Sequence, residues 1–486
     1  MSADTPTRTC PRRGLRLAMA AITAGGSILA AGQSAQAQAS GDEGLALIRD
    51  TEIEDILRQD AKPLFDAAGI DSKSIKIILV GSKDLQAFAG PGTMAVYTGL
   101  ILETKVPNQL QGVMAHEIGH LAGAHSARAG DMNQAGMKPF LLTMGLGVLA
   151  ALAGAPEAGA VLAGNASFFG TLGALGYSRE QESRADQAGI TFLEKANLSS
   201  RGLVEFFDNF RYQEVFQEAR RYPYFRSHPL SSDRIEALRF RAEKTAHYGE
   251  VDTAEAIARH AVMKAKLQGF INPNIAIVKC SDRDQDYPTR YACAIAQYQL
   301  KEPEKALRLI EALLKEQPDN PYLWELKGQV LFEFGHAAEA EGPQRKSVEL
   351  NPTAALLRVN LGQTLVALQD PAKIEEGVSE LKRSLDQDPE NAVAWRLLAE
   401  AYDHQGHDGL ARYATAEYNF QIGDRRQARL FAMRARDMLS KSTPEWRRAT
   451  DIVLASDPGK GDLKTVGRDG VTLNVSSKLI ASSQHQ

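Results

Sequence analysis

Two histidines and a glutamate stand together in Val113–His125, which reads VMAHEIGHLAGAH and holds His116, Glu117 and His120 in the order H-E-x-x-H. On a helix, positions i and i+4 share a face, so both imidazoles can meet one ion. Glu117 stands beside them, where it can take a proton from a water activated by that ion. Zinc suits such a site, because it accepts nitrogen and carboxylate ligands tetrahedrally and lowers the pKa of its water to about 7. The competing reading is a surface helix that happens to carry two histidines. Against it, Val113, Met114, Ile118 and Leu121 make the flanks apolar, as a buried helix requires.

A third ligand must come from elsewhere. The longer pattern H-E-x-x-H-x-x-G-x-x-H would place a histidine at 126, where this chain has Ser126; Gly123 fits the pattern, but His125 misses by one position. Five residues beyond His120, a continuing helix carries His125 off the metal face. The segment Tyr177–Asp186, YSREQESRAD, offers Glu182 and Asp186 at i, i+4 spacing. One of them can bind the metal while the other orients a histidine through its free ring nitrogen. The same residues also read as a solvated charged face of paired side chains.

HEIGH followed by SREQESRAD resembles the HtpX-like and CAAX-prenyl-protease-like zinc metallopeptidases. Ala87–Gly92 with Val96–Leu100 resembles the family's strand before the zinc helix, and Ser227-His228-Pro229 with Arg234-Ile235 resembles its H-P-x-x-x-x-R-I element. The four elements fall in the family's order within roughly residues 47–242. The resemblance implies that Glu182 is the third zinc ligand and that Asp186 supports the site. It also implies that His228 can reach the zinc as a fourth ligand, holding the enzyme latent as a displaceable plug. Two other roles for His228 stay open: a transition-state hydrogen-bond donor with Arg234 structural, or an ordinary loop histidine.

The elements that must position these residues are partly readable. Glu43–Lys62 has the periodicity of an amphipathic helix, which Pro63 breaks or kinks, with a further turn or two open over Leu64–Ala68. Ser74–Val80, SIKIILV, reads as a strand, and Met94–Tyr97 as a second one. A sheet edge beside the metal would bind an extended substrate through backbone hydrogen bonds. Pro139–Gly176 carries one charge, Glu157, and reads as an apolar helical hairpin near the active site, either touching a membrane surface or spanning it. Leu198–Tyr222 reads as helical.

From Tyr291 the pattern changes to pairs of amphipathic segments. Pro318, Pro352 and Pro389 close successive units near the 34-residue tetratricopeptide period. Such repeats stack into a superhelix with a concave peptide-binding face.

At 486 residues the chain has room for two or three domains, and a formal net charge of −4 gives no support to nucleic-acid or polybasic membrane binding. Residues 1–37 read as a secretion signal: Arg8, Arg12, Arg13 and Arg16, then an apolar run from Leu17 to Ala31, then Ala35-Gln36-Ala37. Removing it would take away Cys10 and leave Cys280 and Cys293, which an oxidising periplasm would join as a disulfide or which remain two buried thiols.

The expected architecture is an α+β zincin-type metallopeptidase domain followed by an all-α tetratricopeptide-repeat solenoid. Its parts are a signal peptide (1–37), a peptidase domain (38–250), a connector (251–290), the repeats (291–455) and a tail (456–486). The expected activity is that of a zinc endopeptidase with one zinc per chain, His116, His120 and Glu182 as ligands and Glu117 as general base. With the repeats, the chain resembles periplasmic members of the family, which implies clearance of unfolded or misassembled outer-membrane β-barrel proteins with the β-barrel assembly machinery as partner. A chaperone or scaffold with a plugged site, and a membrane-integrated peptidase, are the alternatives.

Overall fold

The computed structural model describes residues 46–90, 92–123, 179–210, 228, 232–281 and 285–469. The signal segment, His125 and the apolar stretch 139–176 lie outside the described residues. Among the described residues, no helix is long and apolar enough to cross a membrane.

The N-terminal part is built on a four-stranded mixed sheet of order β1-β2-β4-β3: β1 (Ala46–Ile48), β2 (Lys76–Gly81), β3 (Ala87–Gly90) and β4 (Thr93–Tyr97). β2 and β4 run parallel, and the outer strands pair antiparallel. The edge near the histidine helix is therefore β3, while β4, expected from the sequence as a strand after the Gly90–Gly92 turn, lies inside the sheet.

Helix α1 spans Thr51–Ala68, not Glu43–Lys62. The start differs because Leu47 and Ile48 pair with Val80 and Leu79 as strand, and Asp50 then caps the helix by accepting from the Ile53 amide. Pro63 does not end it, because Leu64 and Phe65 beyond the proline are buried in the core; Gly69 does so, in the left-handed conformation.

Next come α2 (Thr98–Glu103), α3 (Pro107–Ala122), α4 (Arg179–Lys195), α5 (Arg201–Asp208) and α6 (Ser232–Ala242). The helix expected over 198–222 is described only as α5. Helix α7 (Ala254–Ile271) occupies the first half of the stretch read as a connector, and its Met263 and Leu267 belong to the same core as α1 and α3. A short α8 (Pro273–Ala276) follows, and Cys280 and Cys293 are joined as a disulfide.

The C-terminal part is a run of helix pairs: α9 (Tyr287–Gln299) with α10 (Pro303–Glu316), α11 (Pro321–Glu333) with α12 (Ala337–Leu350), α13 (Ala355–Ala367) with α14 (Pro371–Gln387), α15 (Ala392–His404) with α16 (Asp408–Gln421), and α17 (Arg425–Met438) with α18 (Pro444–Ala455). Each core is shared only between neighbours, as a solenoid requires. The turn inside each of the first three pairs carries one left-handed residue, Lys301, Gly335 and Gln369, at intervals of 34 residues. The carbonyls of Pro318, Pro352 and Pro389 accept from the side chains of Trp324, Arg358 and Trp395, pinning the start of each following helix. The tail opens with a further helix, α19 (Lys460–Arg468), because Val466 is apolar and buried against α17 and α18.

The two parts touch around an ion cluster that lies within the N-terminal core. Lys266 of α7, almost fully buried, lies 2.9 Å from Asp50 and 3.1 Å from Glu52 at the start of α1. Tyr291 of α9 donates to Glu52 at 2.8 Å, and Tyr322 of α11 donates to Asp55 at 2.7 Å. Farther along the solenoid, Arg49 pairs with Asp388 and Lys76 with Glu390.

Candidate metal centre

Helix α3 is buried along most of its length, and its glycines explain how its neighbours come so close. A Cβ at Gly119 would lie 2.6 Å from the Ala185 carbonyl of α4, and one at Gly112 would lie 2.7 Å from the backbone of Leu203 on α5. Only hydrogen fits at these positions, so α4 crosses α3 with backbone nearly touching backbone. At the N-terminal end, Asn108 donates to the Ser199 carbonyl and accepts from the Gly202 amide, both at 2.7 Å, which fixes α3 against the start of α5. Sequence reasoning missed these positions. Gly112 and Gly119 left a signal, since glycine inside a helix costs about 1 kcal/mol relative to alanine and calls for a packing reason.

The crossing brings His116, His120, Glu182 and His228 together, all buried, with one donor atom from each within 4.8 Å of the others. His116 Nε2 is 3.1 Å from His120 Nε2 and 3.5 Å from Glu182 Oε2, and His120 Nε2 is 3.4 Å from Glu182 Oε1. His228 Nδ1 lies 3.4 Å from His116 Nε2 and 3.2 Å from Glu182. A tetrahedral ion with ligands at about 2.0–2.1 Å has ligand-to-ligand edges of about 3.3 Å. The five distances cluster around that edge. Two imidazoles, a carboxylate and a third imidazole therefore fit one small tetrahedral cation.

The surroundings prepare the ligands. Asp186 Oδ1 lies 2.9 Å from His116 Nδ1. A carboxylate this close favours a proton on Nδ1, which leaves Nε2 as the atom free to bind a metal. Arg234 of α6 grips Asp186 with two hydrogen bonds of 2.8 Å and reaches Glu182 at 2.9 Å. Its guanidinium lies over the Phe207 ring, which packs edge-on against His116. Glu117 is buried, with Oε1 3.6 Å from His228 Nε2.

The electrostatics favour a cation. Burial opposes a charge on His116, but the Asp186 and Glu182 carboxylates outweigh it and raise its pKa to about 9. Burial drives His120 down to about 3 despite Glu182, with His116 and His228 adding to the fall. Burial also opposes ionisation of Glu182 and Asp186. The three histidines nonetheless hold Glu182 far below the usual carboxylate range, and Arg234 with His116 brings Asp186 to about 2. Two carboxylates thus stay ionised around one cluster of imidazoles, and the field that would stabilise a proton there stabilises a metal ion.

Residues 48–242 match the model of peptidase family M48, and residues 295–422 match that of the cytochrome c-type biogenesis protein H TPR domain. A protein named putative beta-barrel assembly-enhancing protease, from Vibrio cholerae, is 27% identical over 354 residues, 68% of each chain. The beta-barrel assembly-enhancing protease of Escherichia coli K12 is 24% identical over 337 residues, 66% of each chain. Metalloprotease LoiP, also of Escherichia coli K12, is 30% identical over 177 residues, 35% of this chain and 64% of that protein. The chain is a metalloprotease that carries a peptidase family M48 domain joined to a tetratricopeptide-repeat domain.

Proposed function

We propose that this protein is a zinc-dependent endopeptidase of the periplasm that degrades misfolded or stalled outer-membrane β-barrel proteins and assists their assembly, with the β-barrel assembly machinery as partner. The observation that carries the reading is the tetrahedral convergence of His116, His120, Glu182 and His228 beside the buried carboxylate of Glu117. The expected secretion signal and the names of the relatives support the compartment and the client class.

When bound, zinc supplies a Lewis acid for a peptide carbonyl and lowers the pKa of a water. His116, His120 and Glu182 hold it, and Asp186 fixes the ring of His116 while Arg234 holds both carboxylates. Glu117 takes a proton from the attacking water and passes it to the leaving amine. β3, the edge of the sheet beside α3 among the described residues, offers backbone groups to an extended substrate, which suits unfolded chains because little side-chain information is read. His228 stands at the fourth ligand position, which favours a latent resting state relieved when His228 is displaced.

The test is cleavage of casein by the mature chain, with Glu117→Gln purified identically. Cleavage by the wild type alone, abolished by a chelator and restored by zinc, is expected. Equal cleavage by both proteins would overturn the reading.

A further inference from the structure

A cavity of about 230 Å³ lies between α7, the start of α9, the turn joining α2 to α3, and the single helical turn Ile277–Ser281. Three lysines line it from three elements: Lys105 after α2, Lys264 on α7 and Lys279 on the single turn. Among the described residues none of the three ammonium groups is ion-paired; Lys264 donates to the Thr104 carbonyl, and Lys105 and Lys279 are exposed. Glu103 and Asp286 attract Lys264 and Lys279 only from outside the lining. Three like charges thus share one small space, and their combined field favours an anion there.

A buried histidine on the same wall narrows the chemistry. His260 is 3% exposed. The Thr104 hydroxyl donates to the Ile101 carbonyl at 2.9 Å, so its oxygen accepts from His260 Nε2 at 3.2 Å and the ring proton sits on Nε2. Burial lowers the His260 pKa to about 4 despite the Thr104 hydrogen bond, with Lys264 adding to the fall, so Nδ1 carries a lone pair at neutral pH. That atom has no hydrogen-bond partner. The cavity wall therefore offers three donors of positive charge and one uncommitted acceptor, which suits an anion that also bears a hydroxyl.

The rim is apolar. Ile257 stands on the wall, and Ile275 and Val278 adjoin the lining residues Ala276 and Lys279 in sequence. These three side chains are 48%, 66% and 71% exposed, and they make up three of the seven large apolar side chains exposed among the described residues. Lysines set among exposed apolar side chains suit a membrane surface, where the stems lie among lipid and the charges meet phosphate. The cavity is smaller than the about 300–1,000 Å³ that encloses a drug-sized molecule, so it admits a headgroup and leaves acyl chains outside.

We infer that this cavity is a headgroup site for an anionic phospholipid bearing glycerol on its phosphate: Lys105, Lys264 and Lys279 bind the phosphate, and His260 Nδ1 accepts from a glycerol hydroxyl. Ile257, Ile275 and Val278 rest against the lipid. On a chain of net charge −4 the attraction is confined to this patch. The site is independent of the metal centre, and its test reads binding, not proteolysis.

The experiment is flotation of the full mature chain with vesicles of phosphatidylcholine alone, or with a third of it replaced by phosphatidylglycerol or by phosphatidylserine. Phosphatidylserine has the same net charge but adds an ammonium group, which the lysines repel. Binding is expected to be strongest with phosphatidylglycerol and absent with phosphatidylcholine. Lys105→Gln, Lys264→Gln and Lys279→Gln together are expected to weaken it about a hundredfold, at about fivefold per lysine. Lys315→Gln, Lys460→Gln and Lys464→Gln remove the same charge elsewhere and are expected to leave it unchanged. By calorimetry, His260→Leu is expected to reduce the affinity for soluble glycerol phosphate to that for inorganic phosphate. Ile275→Ser with Val278→Ser is expected to lose vesicles and keep glycerol phosphate. Equal binding to all three vesicles, or equal losses in the two triple variants, would overturn the proposal. So would glycerol phosphate bound without any vesicle binding, which would make the ligand a free solute. Should the pocket triple variant not fold, the exposed pair Lys105→Gln with Lys279→Gln decides it: a loss of about thirtyfold is expected, and unchanged binding rejects the site.

Discussion

Replacing Gly119 with alanine tests whether the site depends on the closeness of two helices. The added Cβ would lie 2.6 Å from the Ala185 carbonyl oxygen, and that partner is backbone, which cannot rotate away. Ordinary carbon-to-oxygen contacts begin at about 3.3 Å, so α3 and α4 must part by about 0.7 Å. Overpacking of this kind costs about 1–3 kcal/mol, against which alanine regains about 1 kcal/mol of helix propensity. The net effect on folding is therefore small. The effect on the site is large, because Ala185 lies between Glu182 and Asp186 and the shift exceeds the ~0.2 Å tolerance of metal–ligand distances. Gly119→Ala should melt within a few degrees of wild type by circular dichroism, yet lose zinc at least about tenfold more readily in competition with a chelator. A variant that keeps wild-type zinc affinity would refute the idea that close helix contact sets the ligand geometry. A variant that fails to fold would place the cost in the core instead.

Three further outcomes follow from the same geometry. Asp186→Asn removes the carboxylate that faces His116 and anchors Arg234, so zinc affinity should fall about 10–100-fold by isothermal titration while the secondary structure persists. His228→Ala should raise casein turnover if His228 is a plug; a loss of turnover would assign it to the reaction instead. Burial, with Asp50 and Glu52 nearby, lifts the Glu325 carboxyl to about 8 in spite of Lys266 and Asn360. A carboxyl whose pKa is higher folded than unfolded costs stability as pH rises between the two values, here from about 4.5 to 8. The wild-type melting temperature should thus decline over that window more steeply than that of Glu325→Gln; parallel curves would contradict it.

Much of the site was legible because its chemistry is local. H-E-x-x-H puts His116 and His120 on one helical face with Glu117 beside them, and Glu182 with Asp186 share a face of another helix, so each pair needed only helical periodicity. The pairing of the two helices was not legible from periodicity. It depends on Gly119 meeting Ala185, a contact between segments more than sixty residues apart, and family resemblance alone supplied it. The repeats were legible from the prolines, since Pro318, Pro352 and Pro389 each close a unit and serve as an acceptor for the next. The beginning of α1 was misread because three residues of edge strand, Ala46–Ile48, carry apolar side chains that also fit a helical pattern. The helix continues past Pro63 to Ala68, the further turn the sequence allowed, because the buried side chains of Leu64 and Phe65 outweigh the lost hydrogen bond. The docking of solenoid on sheet through Arg49 and Lys76 left no trace in local pattern, because long-range ion pairs have none.

The central claim is that two helices supply three ligands to one zinc ion. Metal content per chain, measured by elemental analysis after dialysis, tests it most directly in wild type, Glu117→Gln and Glu182→Gln. One zinc per chain is expected in the first two proteins and little in the third. One tightly held zinc in Glu182→Gln, with its fold intact, would contradict the assignment of Glu182 and with it the geometry on which the proposed reaction depends.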